Sequence, residues 1–77
     1  MTVTAADIGK LVRVGDCVEG AVVRDGYGGR VLLGKSDGYL RDGFAPDGRL
    51  VLRIGVNVQA MLIALPAEAE RAPVPLP

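Results

Sequence analysis

Residues 29–36 read "GRVLLGKS" and satisfy G-x-x-x-x-G-K-[ST], the pattern of a loop that cradles nucleotide phosphates. That chemistry needs a strand before the glycines and a helix directly after the lysine, so that the helix N-terminus faces the anion. Neither stands here. The four variable positions, Arg30 to Leu33, form a strand-like apolar run, and "SDGYLRDG" follows with turn signals in place of a helix. No apolar run ends in an acid placed to hold magnesium, and a nucleotide-binding α/β fold needs about twice this length. "GYGG" (26–29) likewise has no helix to open, so it is no dinucleotide fingerprint.

Other reactive side chains are few. The chain has no histidine, and Ser36 is its one serine. Lys35 and Ser36 are neighbours, and neighbours on a strand point to opposite faces, which keeps them from acting as a nucleophile–base pair. Asp37, Asp42 and Asp47 recur every five residues without the alternating acids and closing glutamate of a calcium loop, and they read as turn residues. Cys17 is a lone cysteine, unable to form an intramolecular disulfide and, without histidine, unable to build a zinc site. It reads as a small, partly buried strand residue. No catalytic, cofactor-binding or metal-binding residue is assigned, and the expectation is a protein that is not an enzyme.

The elements that carry these residues have a period of two. "LVRV" (11–14) and "CVEGAVVR" (17–24) are apolar runs separated by Gly15-Asp16, a two-residue hairpin signal. "RVLLG" (30–34) and "GYLR" (38–41) follow, and Lys35 and Ser36 begin the turn that Asp37-Gly38 completes. "RLVLRI" (49–54) alternates with Leu50, Leu52 and Ile54 inward. Even parity then continues through Gly55 to Ala64, which predicts one long strand bending at Gly55, preferred to a helix near Gln59. Asp-Gly pairs at 25–26, 37–38, 42–43 and 47–48 mark tight turns. "RDGY" (24–27) and "RDGF" (41–44) read as two turns sharing one chemistry rather than as a repeat. At the start, Thr4 caps a single helical turn with Asp7 as the capping-box acid and Gly9 as its stop.

These signals predict an all-β fold of five or six short antiparallel strands, with one N-terminal helical turn and an extended proline-rich C-terminal tail. In architecture it resembles the small SH3-like or related barrels; no family is implied. The barrel is expected over 1–65 and the tail over 66–77, where four of the five prolines fall. Alternation places Met61, Ile63 and Leu65 on the outer side of the last strand. A small barrel has one inside, so these three need a cover, either the chain's own ends or another protein. Pro73, Pro75 and Pro77 favour an extended, polyproline-like path suited to contacting a partner.

Nine basic and nine acidic residues leave no net charge, which disfavours general phosphate-backbone binding. A local nucleic-acid face built from Arg24, Arg30 and Arg41 with Tyr27 and Tyr39 is the alternative reading. The leading one is a non-catalytic interaction or assembly module whose C-terminal arm contacts a neighbouring chain. Its composition, rich in Ala, Gly, Val, Arg and Asp, suits a GC-rich genome such as that of an actinobacterium or its phage. No secretory signal and no membrane-length apolar run is visible, so a cytoplasmic protein, or a virion component if phage-encoded, is expected.

Overall fold

The computed structural model describes residues 2–24, 26 and 28–67. The fold is all-β: six antiparallel strands in one sheet, with β1 Leu11–Arg13, β2 Val22–Arg24, β3 Arg30–Asp37, β4 Leu40–Phe44, β5 Leu50–Gly55 and β6 Gln59–Ala64. Strand order is β1-β6-β2-β3-β4-β5. Strands β2 to β5 form a meander, and β6 returns to lie between β1 and β2. Among the described residues no helix is long and apolar enough to cross a membrane.

Several sequence expectations are corrected by this topology. The closed barrel is an open sheet: β1 and β5 are its edges, and among the described residues no ladder joins them. Gly15-Asp16 makes no hairpin: β1 and β2 both pair with β6, and a 3-10 turn at Val14–Asp16 leads out of β1. Only Val22–Arg24 of the segment 17–24 is strand. Lys35 and Ser36 continue β3, and Asp42-Gly43 lies inside β4, so neither begins a turn. "RDGF" is thus strand rather than a turn, and Asp25 and Tyr27 of "RDGY" lie outside the described residues. The turns at Gly38 (φ 63°) and Gly48 (φ 88°) form as the Asp-Gly pairs predict. The long strand is two strands, since the Val58 N–H donates to the Gly55 carbonyl (3.0 Å) in a turn that ends β5.

Three β-bulges shape the sheet. Gly34 and Lys35 on β3 face Asp42 alone on β4; Val51 on β5 and Ile63 on β6 are extra residues in their ladders. Each inserted residue reverses the alternation beyond it. Leu50, expected inward, is therefore 48% exposed, and Leu65, expected outward, is 7% exposed and joins the core.

That core is almost wholly aliphatic. Val3, Val12, Val14, Ala21, Val23, Val31, Leu33, Ala60, Leu62 and Leu65 cluster with Cys17, and Leu52 and Ile54 pack against them. The N-terminal turn, Ala5–Asp7, forms as its capping signals predict, with Thr4 N–H donating to the Asp7 carboxylate (2.9 Å) and Gly9 at φ 90°.

Val56 ties the two ends of the open sheet together. Its N–H donates to the Tyr39 carbonyl (2.9 Å) at the start of β4, and its carbonyl accepts from Gly15 (2.8 Å) beyond β1. This close approach explains the glycine at position 15. A Cβ there would lie 2.9 Å from both the carbonyl oxygen and the Cβ of Val56. We expect Gly15→Ala to cost about 1–3 kcal/mol by overpacking, read as a lower urea midpoint with an unchanged slope.

Candidate interaction surface

The deepest polar feature is Arg41, which the alternation of β4 turns inward together with Gly43. Arg41 is 4% exposed. Its Nε and Nη2 donate to the Gly34 carbonyl (3.1 and 2.6 Å), and Nη1 donates to the carbonyls of Val14 (2.9 Å) and Cys17 (2.5 Å). One guanidinium thereby links β4, the bulge of β3 and the 3-10 turn after β1. The expectation that Arg41 belongs to an exposed nucleic-acid face is corrected: its charge is spent on main-chain oxygens inside the fold. The "GK" of "GRVLLGKS" is the bulge that supplies one of these acceptors.

Cys17 lies beside this anchor. Its Sγ approaches the Arg13 carbonyl (3.7 Å), and burial raises its thiol pKa against the opposing pull of the Arg41 charge, with Asp16 and Asp7 adding to the rise. A thiol held protonated and covered in the folded state reacts slowly. Alkylation at pH 8 is expected to be slow in the native protein and to become fast in urea. Because the folded state holds this proton more tightly, stability falls as pH climbs above about 8.5, the ordinary thiol range. A urea midpoint unchanged between pH 7 and 10 would contradict this.

The remaining sequence-derived positions separate in space. Arg24 and Arg30 are exposed and directly opposite each other on β2 and β3. Tyr39, 84% exposed, sits at the other end of β3, roughly 25 Å away at strand rise. Arg53 pairs with Asp42 (3.3 Å), and Asp47 accepts the Arg49 N–H (2.9 Å) in its turn. Met61 remains on the outer face opposite Leu11, and Ile63, at its bulge, is half-buried. Pro73, Pro75 and Pro77 lie outside the described residues.

What alternation alone misses is a continuous apolar row on the outer face. The ladders set Ala64 opposite Val22, Val22 opposite Leu32, Leu32 opposite Phe44, and Phe44 opposite Leu50, a line across five strands. Two of the bulges create it by turning Ala64 and Leu50 outward. Val22, Leu32, Phe44, Ala45 and Pro46 line a shallow groove of about 250 Å³, with Arg30 on its wall. Phe44 lies over Gly34, where a Cβ would come within 2.7 Å of the ring. A glycine inside a strand was the one sequence signal that could have located this aromatic. At the other edge Leu11, 66% exposed, and Met61 line a second hollow of about 320 Å³.

Comparison with protein-family models, with curated proteins and with solved structures finds no match to this chain.

Proposed function

We propose that this chain is a small, SH3-like, non-catalytic interaction module that works in a multi-subunit assembly, with the outer face of its sheet docking a protein chain. The observation that carries the reading is the five-strand apolar row, which lies on the outer face while the inner face already has a complete core of its own. A monomeric sheet with one buried face ordinarily presents polar residues on the other. Contiguous exposed apolar surface of this kind marks protein contact sites.

Light scattering over a concentration series tests it. The mass is expected to rise with concentration, and the double variant Leu32→Glu/Leu50→Glu is expected to stay monomeric with an unchanged strand signal in circular dichroism. A wild-type monomer at every concentration would count against the module.

A second reading has one specific observation in its favour. Two arginines directly opposite on adjacent strands repel each other, and an anion between them relieves that repulsion. A salt titration of binding to random duplex DNA decides it, since absence of binding at low salt eliminates nucleic acid as the ligand.

A further inference from the structure

We infer that the outer face docks an extended segment of a different protein, one that carries an apolar residue and an acid two positions apart. The apolar side chain fills the groove of Val22, Leu32, Phe44 and Pro46, and the carboxylate lies between Arg24 and Arg30. This rests on the reading of the outer face as a docking surface and names the chemistry of what docks there.

The β2–β3 ladder supplies the spacing. Val22 faces Leu32 on the outer side, and the next pair, Val23 and Val31, is 0% and 2% exposed and belongs to the core. Arg24 and Arg30, one step further, return to the outer face and are both exposed. Two residues along a strand advance about 6.8 Å. An extended partner segment has the same rise. An apolar residue seated over Val22 and Leu32 therefore brings the second residue beyond it over the arginine pair.

Charge complementarity makes that second residue an acid. Arg53 on this face already pairs with Asp42 (3.3 Å), whereas among the described residues neither Arg24 nor Arg30 has an ion-pair partner. Like charges directly opposite on neighbouring strands repel. A carboxylate set between them removes the repulsion and accepts hydrogen bonds from both guanidinium groups.

Size and composition decide against other occupants. The groove, about 250 Å³, is smaller than the roughly 300–1,000 Å³ of small-molecule sites. Two free cations are too few for an anionic membrane surface, which is read by clusters of about 4–8. A nucleic-acid strand calls for aromatics beside the charge, and Tyr39 stands at the far end of β3. The chain's own exposed Leu40 and Asp42 have the required spacing, but Arg53 already holds that carboxylate. The segment is thus assigned to a different protein, with which self-association through the row competes.

The test titrates dilute full-length protein, ¹³C-labelled at its methyl groups, with the capped peptide Thr-Thr-Thr-Leu-Thr-Glu-Thr, whose threonines favour extended backbone. The methyl signals of Val22 and Leu32 are expected to shift and saturate. With Gln in place of Glu in the peptide, affinity at low salt should fall about five- to tenfold, the worth of two exposed ion contacts. In Arg24→Gln/Arg30→Gln, which alters no buried residue, the two peptides should bind alike. Equal affinities in the wild type, or no saturable shift, overturn the inference. So does tighter binding of random duplex DNA with the same methyls shifting, which gives the site to nucleic acid. If no peptide binds but mass still rises with concentration in the wild type and not in Leu32→Glu/Leu50→Glu, the row serves a second copy; the inference falls and the module reading stands. If the wild type is monomeric throughout and binds no peptide, both fall.

Discussion

Arg41→Met is expected to remove about 3–5 kcal/mol of folding stability, a large share of what a domain of this size holds. A domain of this size holds roughly 4–12 kcal/mol in total. Methionine matches the arginine side chain as far as Nε, so the loss comes mainly from the guanidinium. It falls on the carbonyls of Val14, Cys17 and Gly34, which receive the guanidinium's hydrogen bonds in the native state. Each buried acceptor left without a donor costs about 1–3 kcal/mol, less where it can turn to water. Arg41→Lys should recover only part of the loss, because one ammonium cannot present the planar fork that spans three acceptors. As a control, Arg53→Met breaks only an exposed ion pair with Asp42 and should change stability by less than about 1 kcal/mol. Urea melts of the three variants check the ordering. Equal effects at positions 41 and 53 would mean that the buried anchor does not hold the fold.

The second large effect lies at the end of β6. Leu65→Ala is expected to cost about 2–5 kcal/mol, whereas Met61→Ala on the same strand should cost less than about 1. Simple alternation puts both residues on the outer side and assigns both small effects. The Ile63 bulge separates them: Val23 faces Leu62, and the next residue toward the start of β2, Val22, already faces Ala64. Leu65 is consequently carried into the core with Leu62 and Val23. Thermal melts of the two variants distinguish the registers. A small loss at Leu65 would place it outside the core after all.

Much of the secondary structure was legible in the residues. Alternating Val, Leu and Ile runs fixed the strand character of β3, β5 and β6, because side chains on a pleated backbone repeat every two residues. Asp-Gly at 37–38 and 47–48 located two hairpins, since glycine tolerates the positive φ that those turns demand. The capping of the first turn by Asp7 was equally local. Each of these depends on residues within four positions of one another, and such short-range preferences survive in any fold.

Only the tertiary structure decided which face each residue occupies. A bulge is a mismatch between two strands, so it has no meaning until the partner is known; Gly34-Lys35, Val51 and Ile63 became bulges through β4 and β2. They sent Leu50 out and Leu65 in. Gly15 reads as a turn residue from its neighbours, yet its need is set by Val56, forty-one positions away along the chain. Arg41 reads as a surface arginine because nothing nearby in sequence hints at three free carbonyls; two of those acceptors lie 24 and 27 residues away. The phosphate-loop pattern in "GRVLLGKS" followed the same rule. Its spacing was a property of the letters, while its role as a bulged strand anchoring Arg41 was a property of what folded against it.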